Sequence, residues 1–126
     1  MAIIHTHHVS DEADDRFYYT SQPIYKKYNP GDTYDDNEVL HRLVDIEPNS
    51  VDESLFEPVF FRAYSLFVQY SAEEYVQLIS TFSPTISMQP ASRIEFLSEI
   101  KDLIADTFDD RIQKHYAMSL TIAKKK

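Results

Sequence analysis

Gly31 is the only glycine in a chain of 126 residues. Glycine lets a backbone take left-handed turns and approach a ligand closely. Loops that cradle phosphates or nucleosides between a strand and a helix need several glycines. Gly31 stands in Asn29-Pro30-Gly31-Asp32, the composition of an ordinary turn. The chain therefore carries no glycine-rich phosphate or nucleoside loop of its own, which removes most cofactor-binding folds.

The length suits one domain with a modest core. A hydrophobic content of 43% and an aromatic content of 13%, with 9 Tyr and 8 Phe, argue against disorder. Cysteine is absent, which excludes a disulfide framework and thiolate chemistry. No apolar stretch reaches membrane-spanning length. Met1-Ala2-Ile3-Ile4-His5 lacks the basic region and long apolar run of a signal peptide. The expectation is a soluble, cytoplasmic protein with no membrane partner. The net charge is −9, and its excess is local: residues 11–57 hold 13 acids against 4 bases, residues 58–126 hold 8 of each. An acidic surface repels phosphates, so no nucleic-acid partner is expected.

Residues 2–9 open with Ala2, Ile3 and Ile4 and read as a strand buried from its start. Ser10 offers a helix cap with acids in the first turn. Phe17, Tyr18, Ile24, Tyr25 and Tyr28 recur at helical spacing, and Pro23 divides the run into two short helices, about 12–20 and 22–28. Residues 35–56 are weakly patterned: Asp35 or Asp36 caps a short helix through Val39, Leu40, Leu43 and Val44, and Val51 to Phe56 forms one turn. Residues 10–57 thus form an acidic, helical and irregular insertion within a single domain. A long aromatic and β-branched run follows and reads as a strand over 58–70. Ser71 and Glu74 form a capping box for a helix over 71–82. Pro90 or Ser92 starts a helix over 90–108, with Ser92 and Glu95 a second capping box and a stripe of Ile94, Phe96, Leu97, Ile100, Leu103, Ile104 and Phe108. A closing strand over 111–123 alternates bulky residues (Tyr116, Met118, Leu120, Ile122) with small or polar ones (His115, Ala117, Ser119, Thr121, Ala123). The order is strand, helices, strand, helices, strand, an α/β or α+β arrangement.

His5 and His7 face one side of a strand, a spacing that metallo-hydrolases use. Such sites need further ligands, and Val9 stands where a ligand-rich motif would continue, so no metal ligand is assigned. A histidine-based metal-dependent hydrolase is the weakest functional alternative. Tyr18, Tyr19, Tyr25 and Tyr28 can line an acceptor pocket or hold a cation on their π faces, or pack as helix core. Arg62, inside an apolar strand, snorkels or pairs with an acid. No Ser-His-Asp or Cys-His arrangement stands out.

The run Tyr70-Ser71-Ala72-Glu73-Glu74-Tyr75-Val76-Gln77-Leu78-Ile79-Ser80-Thr81-Phe82-Ser83 resembles a helix of class I S-adenosylmethionine-dependent methyltransferases. The helix from Ser92 to Phe108 and the strand from Arg111 to Leu120 resemble that family's last helix and last strand. Ala2-Ile3-Ile4-His5-Thr6-His7-His8 is similar to its fifth strand. The stretch Tyr18 to Tyr28 is similar to the substrate-side helices of some members. The resemblance covers nearly all of this chain and less than half of a complete enzyme. It implies an α/β fold, the C-terminal half of a Rossmann-like methyltransferase, with a three-stranded mixed sheet. In that family the last strand runs antiparallel between the other two.

The resemblance also implies function. A complete member binds S-adenosylmethionine through a glycine-rich loop and an acid that holds the ribose, and this chain has neither. The expectation is a substrate-side portion that binds no cofactor and transfers no methyl group by itself. Thr6, His7 and His8 would lie at the strand end where active-site crevices open. His7 or His8 would be the catalytic base, and Thr6, Tyr18, Tyr19, Tyr25 and Tyr28 would bind a small-molecule acceptor. The alternative is a non-catalytic binding or assembly module. In the arrangement the resemblance implies, residues 2–9 lie at the sheet edge where the fourth strand is missing, with no blocking charge or proline, and a homodimer through that first strand is expected.

Overall fold

A computed structural model describes residues 1–9, 16–37 and 40–126. The elements are β1 (Ala2–His8), α1 (Arg16–Tyr28), β2 (Phe56–Tyr70), α2 (Ala72–Ser80), α3 (Ser83–Ile86), α4 (Pro90–Thr107) and β3 (Ile112–Lys125). Single 3-10 turns lie at Pro30–Asp32 and Leu43–Asp45. The expected cap at Ser10 and its acids lie outside the described residues, as does Val39. The described residues fall into two compact units. One holds those within 1–14, 39–68 and 115–126; the other holds those within 15–38 and 69–114.

The first unit contains the sheet, in the order β1-β3-β2. It is antiparallel, not mixed: each neighbour of the central β3 runs against it. In the β1–β3 ladder Ala2 faces Ile122, Ile4 faces Leu120 and His7 faces Ala117. The Met1 ammonium and the Ala123 N–H each donate to the other residue's carbonyl (2.7 and 2.9 Å), and the Val9 N–H donates to His115 (3.2 Å). Odd residues of β1 thus turn their backbone groups toward β3. Ala2, Ile4, Thr6 and His8 turn theirs away, because the two kinds of pair alternate along an antiparallel ladder.

That parity also sets the faces. Val9, Ile46 and Ala117 form a small core, joined by Leu43, Phe61 and Ala63. Odd-numbered residues of all three strands share this face, which is covered along β3 but leaves Val59 and Phe67 of β2 at 54% and 48% exposed. The small side chains of β3, Ala117, Ser119, Thr121 and Ala123, are the buried ones. The even-numbered face is bulky and open: Ile4 is 68% exposed and Leu66 46%. β1 is therefore not the buried strand its composition suggests. It is an edge strand, and its alternate side chains point to the uncovered face. Val51 to Phe56 is a turn in which the Asp52 carboxylate accepts the Ser54 N–H (2.9 Å), and β2 begins at its end.

The second unit is built around α4. Phe96, Ile100 and Ile104 recur every fourth residue and are buried against Phe17, Ala72, Tyr75, Ile79 and Ile112. α1 and α2 both pack on this helix. α1 is one helix through Pro23, not two. An interior proline costs about 3 kcal/mol, and the packing of Phe17, Ile24, Tyr25 and Tyr28 against the core offsets it. The Ser71–Glu74 capping box forms as expected, with reciprocal bonds of 3.2 and 2.8 Å. The second does not: α4 starts at Pro90, which places Ser92 inside the helix. Proline at the first helical position is pre-set for that start. Asp109 and Asp110 turn the chain with left-handed φ values of 53° and 58°. The Asp110 carboxylate then accepts the Ala72 N–H at the start of α2 (2.9 Å). Gly31 has a φ of 65°, and a Cβ there would lie 3.0 Å from the Pro84 Cα.

Ile100→Ala and Tyr75→Ala should each lose about 2–5 kcal/mol in a denaturant series. Tyr19→Ala, at a 55% exposed position, should stay within about 0.5 kcal/mol of the parent. Equal losses would place the core elsewhere.

Candidate functional site

Polar groups of the first unit collect on the odd-numbered face of the sheet. β3 supplies small side chains there, and the space they leave admits hydrogen-bonded histidines. His7 Nε2 lies 2.9 Å from Ser119 Oγ. His5 stacks on His7 with centroids 4.4 Å apart and planes 17° from parallel. Burial holds the His7 imidazole below the usual histidine range, and the charges of His5 and His41 push the same way. At neutral pH His7 is therefore a neutral imidazole, oriented by a serine hydroxyl and able to take up a proton.

A second pair lies along the same face. His115 Nε2 is 2.8 Å from Ser65 Oγ, and the Phe67 ring stacks on the imidazole at 4.1 Å. His115 is buried, and its Nδ1 has no hydrogen-bond partner among the described residues. The Thr121 hydroxyl accepts the Asn49 N–H at 3.1 Å. Ser119 and Thr121 are each 1% exposed, which rules out nucleophilic attack from either hydroxyl in this conformation. They act as hydrogen-bond partners that keep buried polar groups satisfied.

Thr6 and His8 occupy the opposite face of β1, because successive residues of a strand alternate. His8 lies over Tyr116 with centroids 5.2 Å apart. The two histidines expected to share one catalytic role thus open onto different sides of the sheet, and only His7 joins the polar row. Among the described residues no group of three or more His, Cys, Asp or Glu side chains can hold a metal ion.

The four tyrosines belong to α1 in the second unit and divide into two pairs. Tyr25 and Tyr28 pack on Phe96, at 5.2 and 5.8 Å. Burial raises the Tyr25 hydroxyl above its ordinary range, opposed by a hydrogen bond from Tyr75. These two are core residues. Tyr18 meets Tyr19 edge-on at 5.2 Å. A cation does sit near the Tyr18 ring, and it is the chain's own: Lys114 Nζ lies 5.6 Å from the Phe17 centroid and 5.9 Å from that of Tyr18. Lys114 is only 5% exposed. On the outer side of α1, Lys27 pairs with Glu99 on α4 at 2.6 Å and lies over Tyr28 at 4.9 Å.

Sequence reasoning missed Ser65, Ser119, Asn49 and Lys114. The alternation of β3 already marked a small, polar face, and a strand keeps such a face only where other groups approach closely. Comparison with family models, with curated proteins and with solved structures finds no match for this chain.

The lowered proton affinity of His7 has a pH consequence. The folded chain binds this proton less readily than the unfolded chain, so folding stability is full above the ordinary value of 6.5 and declines as pH falls below it. An imidazole NMR titration should place His7 below 6.5, and His7→Gln should flatten the acid limb of stability. A His7 that titrates at or above that value would contradict this geometry.

Proposed function

We propose that this chain is the substrate-side, C-terminal portion of a class I S-adenosylmethionine-dependent methyltransferase, within an α/β half-fold of the Rossmann type. The observation that carries the reading is the strand order β1-β3-β2, with β3 antiparallel between the other two and α2 and α4 in the connection from β2 to β3. That is the order the sequence resemblance implies. The assignment rests on strand order and sequence together.

The residues present do not fit the cofactor. Gly31, the one glycine, lies in a 3-10 turn against Pro84 and does not follow a strand. No step is therefore routed through S-adenosylmethionine on this chain. Its contribution would be to the acceptor: the neutral His7 imidazole at the end of β1 would orient a small nucleophile and take its proton, while Thr6, on the opposite face of the strand, would not share that contact.

The edge position of β1 supports a second reading, a non-catalytic assembly module that is dimeric through the first strand. Ala2, Ile4 and Thr6 turn their backbone groups to the outer side of β1, a template for another strand, up to the bridge between Val9 and His41. A histidine-based hydrolase gains no support from the geometry.

The DNA immediately upstream of the Met1 codon separates the two main readings. A continuous frame encoding a strand and a glycine-rich turn supports the methyltransferase portion; a promoter and ribosome-binding site directly before Met1 support the module. On either reading, calorimetric titration of this chain alone with S-adenosylmethionine should give no saturable binding at micromolar cofactor. Saturable binding would overturn the assignment of the cofactor to other residues.

A further inference from the structure

We propose that a second copy of this chain docks on the even-numbered face of the sheet, so that two sheets pack face to face about a two-fold axis. The inference is independent of the catalytic reading. The face is built from β1, the part of β2 up to Val68, and β3 from Tyr116 onward, all within one compact unit. Its side chains are large and uncovered: Ile4 is 68% exposed, Phe60 43%, Tyr64 43%, Leu66 46% and Met118 38%. None of them belongs to either hydrophobic core.

Magnitude favours the face over the strand edge. Large side chains carry roughly 150–250 Å² each, so these five leave on the order of 500 Å² of mainly apolar surface in water. The half-buried Leu120 and its even-numbered neighbours on β3 add to that. A stable interface takes about 800 Å² from each partner, and an exposed apolar patch beyond a few hundred Å² marks an interaction site. The edge of β1 offers backbone hydrogen bonds, which water already satisfies, and little apolar area.

Charge favours a second copy as the occupant. The face itself carries no acid: no even-numbered position of β1, of β2 from Pro58 to Val68, or of β3 from Tyr116 to Lys124 is Asp or Glu. Arg62 and, at the rim, Lys124 are the charged residues of the face, and the Arg62 guanidinium lies 5.0 Å from the ring centroid of its own neighbour Tyr64. Two chains of charge −9 repel elsewhere, while this face presents a nearly uncharged, self-complementary layer. Two such sheets pack about 10 Å apart with interdigitated side chains. A basic partner would be drawn to the acidic residues and not to this patch.

The test is sedimentation equilibrium of the full chain across a wide dilution series, at low and at raised salt. The expected result is a monomer–dimer equilibrium that tightens with salt, because screening relieves the repulsion between two acidic chains. The double variant Phe60→Glu/Leu66→Glu should weaken the dimer at least about a hundredfold. Ala2→Pro, which removes an outward backbone donor from the edge where β1 has its smallest side chain, should leave it unchanged. Circular dichroism checks the fold of each variant, and Ile4→Asn, at the most exposed position, replaces the double variant if that one fails to fold. A monomer at every concentration would overturn the proposal. So would a dimer indifferent to the face variants, or one lost only in Ala2→Pro, which would place the interface at the β1 edge.

Discussion

The placement of β3 between β1 and β2 decides most of what the first unit can do. A central strand has its backbone groups paired on both sides, so its side chains settle which layer covers which face. β3 has small side chains at 117, 119, 121 and 123, and these are the buried ones. A neighbouring layer can approach a strand of Ala, Ser and Thr closely, and Leu43 and Ile46 do so. The bulky alternates, Tyr116 to Ile122, are left on the other face. Burial here follows the room available for close approach, not hydrophobicity residue by residue. The histidine–serine pairs are a consequence, since only small neighbours leave an imidazole room beside the strand.

Much of the architecture is legible in the sequence where one signal dominates. The α4 stripe announces itself by spacing, and the Ser71–Glu74 box fixes the start of α2 with two bonds. The alternation over 112–123 gives β3. Failures arise where two signals compete. Pro23 argues for a break, but the apolar row of α1 continues across it and tertiary packing prevails. Ser92 has the right partner three residues on, yet Pro90 is the better helix start and takes that role. Ile94 looks like part of the stripe but lies about 200° around the helix from Phe96, and it is 68% exposed.

The candidate site was legible only in part, for a physical reason. Periodicity identifies which residues share a face but not which face is covered. His5 and His7 were paired correctly by alternation, and the same alternation sets His8 on the other side. Their serine partner, Ser119, is 112 residues away from His7 in the chain, and only the register of β1 against β3 brings the two together. The tyrosines of α1 are similar in sequence and different in role, because the packing of α1 on α4 buries Tyr25 and leaves Tyr19 exposed. The cation that the tyrosine cluster invites comes from Lys114, far along the chain.

The account depends on the register of β1 against β3, which sets the histidine pairs, the open apolar face and the outward donors of the edge at once. A shift of one residue would exchange all of them. Amide hydrogen exchange along β1, followed by NMR at a dilution where the chain is monomeric, tests this directly. The account predicts alternation, with slow exchange at Ile3, His5 and His7 and fast exchange at Ala2, Ile4, Thr6 and His8. The opposite alternation, or uniform protection along the strand, would contradict it.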